Sequence, residues 1–292
     1  MNSPMLRTTT AAIAAVALLS LSACASDDKI PADAAAPAAA TTASAAPSAA
    51  ASSSSSSLDG PSMALGNGKV WAYVIPGADG KPDQVGVRLT GAALDGLPQD
   101  MGGMHPTPMV LTFPSGSNTG VLNHVEFYWN PQGHEPPGVW DKPHFDYHFY
   151  LTDPAAVAAI VPTATDFATK AANIPDTKYM PTDYVMPPGK AVDNTIPGMG
   201  LHWFDSTDPL VPGKYVFTQT MINGSYDGQH TFIEPMITRE WLLTHPSLDD
   251  QLKQPAAYQT AGLYPTTYTV SYDAASDTYS VALGGFVDRQ AS

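Results

Sequence analysis

Residues 123–151 alternate between two kinds of side chain. His124, Glu126 and Tyr128 interleave with Val125, Phe127 and Trp129, while His144, Asp146, His148 and Tyr150 interleave with Phe145, Tyr147, Phe149 and Leu151. A period of two sends successive residues to opposite faces of a β-strand. Each segment is therefore predicted to be a strand with one aromatic–aliphatic face for a core and one face of ionisable groups. Between them runs N-P-Q-G-H-E-P-P-G-V-W-D-K-P (130–143), rich in the proline and glycine that end strands. Hairpin connections usually span about two to five residues, and longer ordered loops are more often functional. If the two strands pair in an even register, one such register sets Glu126 opposite His148 and Tyr128 opposite Asp146, though the pattern does not distinguish it from registers shifted by two. A register displaced by one residue would set polar face against apolar face, which burial strongly disfavours.

Elsewhere the same pattern predicts strands at 69–75, 84–89, 109–113, 214–222, 230–236, 267–272 and 278–283. The 214–236 pair turns at N-G-S-Y-D-G and the last pair at D-A-A-S-D, both good turn chemistry. Helix signals are fewer. Asp153-Pro154 offers a cap and a first-turn proline before A-A-V-A-A-I, and 238–244 starts similarly. Residues 175–213, rich in proline and glycine, read as a surface connection packed by Tyr179, Tyr184 and Met186. The pattern predicts a mainly β fold over 59–292, a single sandwich or barrel-like domain with a few short helices.

The polar face of the central hairpin is the candidate for chemistry. His144 and His148 bracket Asp146 at steps of roughly 7 Å along the strand. With His134 reaching in from the loop, imidazoles and a carboxylate could surround one ion. Such donors suit zinc first, and iron, manganese, nickel or copper acceptably. Asp146 could ligate directly or orient a histidine through its second nitrogen. Glu234, in T-F-I-E-P-M, is a strand carboxylate that needs a partner to be buried; Glu126 competes with it for the carboxylate role, and His124 shares the face. Histidines beside carboxylates also satisfy each other without any ion. His105, His230 and His245 have no supporting context and read as structural or solvated.

The strings N-P-Q-G-H-E-P-P-G (130–138) and P-H-F-D-Y-H-F-Y (143–150) resemble the signature of a family of exported bacterial and archaeal proteins of unknown function. G-M-G-L-H-W (198–203), N-G-S-Y-D-G (223–228) and F-I-E-P-M-I-T (232–238) follow in the same order. The resemblance spans roughly Lys69 to Arg289. It implies a β-rich, homo-oligomeric protein, with relatives under extracytoplasmic sigma-factor control. It adds His202 and Glu234 as candidate site residues, and supplies no established activity or metal.

Arg7, a short apolar core and L-S-A-C (21–24) are the pattern of a lipoprotein signal peptide over 1–23, after which Cys24 is lipidated. Cys24 is the only cysteine, so no internal disulfide or thiol site is expected. Residues 24–58 are rich in Ala, Ser, Pro and Thr and read as a disordered linker. A net charge of −14 with 14% charged residues argues against nucleic acid or anionic lipid as partners. Membrane attachment would rest on the lipid, in the bacterial cell envelope. Ala25 and Ser26 lack an inner-membrane retention aspartate, which points to the outer membrane. No G-x-S-x-G elbow, phosphate loop or dinucleotide fingerprint is present. Two readings follow: a metal-binding envelope protein, or a non-enzymatic module that binds a small ligand or forms oligomers with structural histidines. Replacing Cys24 with Ala is expected to move the protein from the membrane to the soluble fraction. Unchanged fractionation and unchanged mass would reject lipidation.

Overall fold

A computed structural model of the chain describes residues 56–100 and 107–292. The expected signal segment, Cys24, most of the expected linker and His105 lie outside the described residues. Strands β1 (Gly68–Pro76), β2 (Pro82–Thr90), β3 (Met109–Thr112), β4 (His124–Asn130) and β5 (His144–Tyr150) open the fold. Short helices α1 (Pro154–Ala158), α2 (Phe167–Ala172) and α3 (Ala191–Asn194) precede β6 (Gly200–Asp205), β7 (Gln219–Tyr226) and β8 (Gln229–Thr238). Helix α4 (Arg239–Leu242) leads to β9 (Leu248–Gln251), β10 (Thr267–Asp273) and β11 (Thr278–Gly284).

These strands form two antiparallel sheets, and Gly262–Tyr264 pairs with Val287–Arg289 in a separate two-stranded one. The first runs β1-β2-β11-β10-β9, with Leu58–Asp59 and Met63–Leu65 both on β1. The second runs β3-β4-β5-β8-β7-β6, and Tyr184–Val185 and Thr195–Ile196 pair with β6. One apolar cluster joins them: Val70, Val85, Val87, Val270 and Val281 from the first sheet, Val125, Phe127, Phe145, Tyr147, Phe149 and Ile237 from the second. The sandwich alternative therefore holds, and the barrel does not. Among the described residues, no helix is long and apolar enough to cross a membrane.

The central hairpin pairs in an even register, the one with Glu126 opposite His148 and Tyr128 opposite Asp146. Its apolar side enters the inter-sheet core. Its polar side is covered as well, by a second cluster that includes Val139 and Trp140 of the long loop, Val157 of α1, and Phe217. All fourteen residues of β4 and β5 except Trp129 are buried. The ionisable face is thus interior.

Three expectations change. The strand expected over 214–222 starts only at Gln219. Lys214 and Tyr215 instead close a turn on Val211. The supposed connection over 175–213 contains β6, whose six residues begin at Gly200 and are too short to show a period. Asp153 occupies the N-cap of α1 without capping it, and its carboxylate accepts from Asn123 Nδ2 at 3.3 Å. Thr238 does cap α4, accepting from the Trp241 N–H at 3.2 Å. The β7–β8 hairpin turns at Asp227-Gly228, where φ values of 50° and 74° fit the left-handed residues of a two-residue turn.

Gly224 of β7 lies between His202 and Phe232 in the ladder. A Cβ there would sit 2.0 Å from the Phe232 ring. Phe232 is fully buried and has no room to swing away. Gly224→Ala is expected to destabilise the fold by about 1–3 kcal/mol through overpacking, read by urea unfolding; an unchanged midpoint would contradict this packing.

His230, on β8, donates from Nε2 towards Asn223 Oδ1 (3.0 Å) and the Phe232 carbonyl (3.1 Å). Burial drives its pKa down to about 4, against a weaker upward pull from the Phe232 bond. The unfolded chain takes up this proton near pH 6.5. The resulting stability is whole above that pH and is lost as pH falls towards 4, by about 3 kcal/mol. Urea unfolding at about pH 7.5 and pH 4 is expected to show a smaller loss for His230→Gln than for the parent. Equal losses would remove His230 as the source.

Candidate metal centre

Strand β5 supplies three ionisable side chains to the covered face, and its neighbours complete two separate groups around them. In the first, His134, His144 and Asp146 bring one ligand atom each within 4.8 Å of one another. In the second, His148, His202 and Glu234 do the same. Either group could hold a metal ion.

The expectation that His134, His144 and His148 converge on one ion is not met. His144 and His148 are four residues apart on one strand, which separates them by roughly 13 Å. No single ion bridges that distance with bonds of about 2 Å. Asp146 stays with His144, and His148 turns to neighbouring strands. The β5–β8 register, with Phe232 opposite Tyr150 and Met236 opposite Asp146, sets Glu234 level with His148. The ladder is interrupted at Glu234 and Pro235, where proline has no N–H to give. From Glu234 the row continues through Ile222 of β7 to Phe204 of β6, with His202 two residues along the same face.

In the second group His148 Nε2 and His202 Nε2 lie 3.4 Å apart. They stand 3.4 Å and 3.6 Å from Glu234 Oε2. Glu234 and His148 are buried, and His202 keeps 20% side-chain exposure, which leaves an approach from solvent. Phe232 packs on both rings, with centroids 4.6 Å from His148 and 5.0 Å from His202. Burial holds the Glu234 carboxyl well above the usual carboxylate range, and Asp146 adds to this. Burial and the neighbouring His202 drive His148 well below its usual value. Both shifts describe a pocket that disfavours an uncompensated charge of either sign.

In the first group His144 Nε2 lies 3.1 Å from Asp146 Oδ1, and His134 Nε2 lies 3.7 Å from Oδ2. Both rings are held from behind. His144 Nδ1 donates to the Lys142 carbonyl at 2.7 Å and His134 Nδ1 to the Glu135 carbonyl at 2.9 Å. Asn130 Nδ2 donates to Asp146 Oδ2 at 2.7 Å. Burial alone would raise the Asp146 carboxyl, but His144 and His134 together hold it well below the usual range. Burial likewise opposes protonation of His134, and the Asp146 carboxylate reverses this, leaving its pKa raised.

The long loop explains how His134 reaches the sheet. Gly133 adopts φ 71°, and a Cβ there would lie 2.2 Å from the Trp140 carbonyl oxygen. That close return lets His134 N–H donate to the Trp140 carbonyl at 3.1 Å. Trp140 then packs into the covering cluster while the His134 ring meets His144 edge-on, centroids 4.7 Å apart. The glycine and proline content builds a clasp.

Glu126 and His124 join neither group. Glu126 lies opposite His148, yet its carboxylate accepts the Tyr128 hydroxyl at 2.6 Å and stands 3.7 Å from His124 Nε2. His124 stacks flat on Tyr150 at 4.9 Å. Of the remaining histidines, His245 stacks on Tyr272 at 3.8 Å, away from the centre. Two contributors escaped sequence reading. Asn130, which anchors Asp146, continues the alternating face of β4 but sits in a strand-ending Asn-Pro. Gly224, which makes space for Phe232, gives only an ambiguous glycine-in-strand signal.

A family model described as TTHB210-like, after a hypothetical protein TTHB210, matches residues 77–129. No curated protein and no solved structure matches the chain. The matched stretch runs from the β1–β2 turn to Trp129 of β4, so the similarity takes in His124 and Glu126 and ends before all six residues of the two metal groups.

Proposed function

We propose that this is a lipid-anchored protein of the bacterial cell envelope that binds a divalent metal at His148, His202 and Glu234. The observation that carries this reading is the set of separations among the three ligand atoms: 3.4, 3.4 and 3.6 Å. A tetrahedral ion with bonds of about 2.0–2.1 Å spaces its ligands by about 3.3–3.4 Å. Three imidazole and carboxylate donors thus stand where one ion would hold them. Zinc is the first choice, and iron, manganese, nickel and copper accept the same donors. Two histidines and one carboxylate leave a coordination position for water or an incoming ligand, as in catalytic rather than closed structural sites. A bound ion would supply Lewis acidity there, while the chain orients the donors and Phe232 limits water around them.

Anchoring at Cys24 is supported by L-S-A-C, and assembly into a homo-oligomer by the family resemblance. A second reading, a ligand-binding module with structural histidines, draws on one observation. A cavity of about 430 Å³ is lined by Tyr184, Tyr268, Asn223 and the neutral His230, and by none of the six metal-group residues.

Untagged protein purified without chelator is expected to carry bound metal by elemental analysis. His148→Ala should lose the ion at this group and keep the parent circular dichroism, since a preformed β-site does not depend on the ion to fold. Protein that binds no divalent metal on titration would discard the metal reading in favour of the cavity.

A further inference from the structure

The first group poses a separate electrostatic question. A backbone carbonyl only accepts, so the bonds to Lys142 and Glu135 fix the proton of each ring on Nδ1. In the neutral rings both Nε2 atoms then present lone pairs to Asp146. Lone pairs aimed at a carboxylate repel, and only a second proton, which Asp146 favours on His134, or a metal ion removes that repulsion. His144 Nε2 and Asp146 Oδ1 are both buried and, although 3.1 Å apart, form no aligned hydrogen bond; neither has a hydrogen-bond partner among the described residues. A proton on the line between two atoms demands alignment, whereas an ion sits off that line and draws in a third donor. His134 Nε2, facing the other side of the same carboxylate, is that donor. The backbone carbonyls behind both rings are the supports that ligating histidines require.

We propose that His134, His144 and Asp146 bind a second divalent ion, separate from the first and taken up after it. This rests on the reading that His148, His202 and Glu234 bind the first. Asp146 and His148 are two residues apart on β5, so the ions would lie on the order of 7 Å apart, within one Debye length of about 8 Å. Two dications at that distance inside a covered face repel, and the second binds more weakly. The order follows from the donor spacing, since the second group is set at near-ligand separations while His134 must close in from a loop.

Calorimetric titration of metal-free full-length protein with zinc alone, paired with elemental analysis, tests the proposal. Two ions are expected, in steps at least about tenfold apart in affinity. His134 is half-buried on a loop, so His134→Ala is expected to keep the fold and abolish only the weaker step. His202→Ala should abolish the tighter step and leave the group of His134. One ion in both the parent and His134→Ala overturns the second site and leaves the first intact. Loss of all binding in folded His134→Ala means one shared site and also overturns it. Two steps of equal affinity overturn the ordered uptake. No binding by the parent removes the first reading together with this one.

Discussion

Covering both faces of the second sheet is the constraint from which the rest of this structure follows. An antiparallel sheet can leave one face in water, and the alternation of β4 and β5 is the pattern of a strand that does so. Here the long loop, α1 and Phe217 close over that face instead. The buried polar set includes His124, Glu126, His144, Asp146, His148 and Glu234, each 6% exposed or less. Burying a lone carboxylate is costly enough that it must be paired, neutralised or bound to a cation. Each acid on this face is accordingly held against an imidazole, and the loop residues that seem ornate in sequence are the ones that complete the cover.

Much of the fold could be read from period alone, because period is local. The faces of β4 and β5, the even parity of their register and the apolar core between the sheets follow from alternation plus the penalty for misplacing a face. The value of the register does not, since a shift of two keeps every face. The sandwich itself is less local. Its first sheet joins β1 and β2 near one end of the chain to β9, β10 and β11 near the other, and no spacing within a segment announces that. Strand β6 was hidden for a different reason: six residues among glycines and prolines give too few positions for a period to be distinguished from chance.

The candidate site was legible as a set of residues and not as an arrangement. All six members of the two groups carry a signal in sequence, from strand phase for His144, Asp146 and His148 to the unpaired carboxylate at Glu234. Their partition was not visible, because it depends on β8 rather than another strand lying against β5, and on β6 following β7. The strand rise did forbid one ion between His144 and His148. Weighing that length against the bond length of a metal is a step that phase alone does not supply.

Glu126 shows why the other two carboxylates differ. It sits on the same face, as deeply covered, with a histidine nearby and the β5 histidine directly opposite. Yet it receives the Tyr128 hydroxyl at 2.6 Å, a short bond that settles one of its oxygens without any ion. Asp146 Oδ1 and Glu234 Oε2 have no hydrogen-bond donor among the described residues, though imidazole nitrogens stand 3.1 to 3.6 Å away. Burial is common to all three acids, so burial is not what distinguishes them. The difference is a buried oxygen left over. Asn130 settles Asp146 Oδ2 but nothing settles Oδ1, Glu234 Oε2 is in the same position, and Glu126 has no such atom among the described residues. A cation between carboxylate and imidazole is therefore a partner that either remaining group could take.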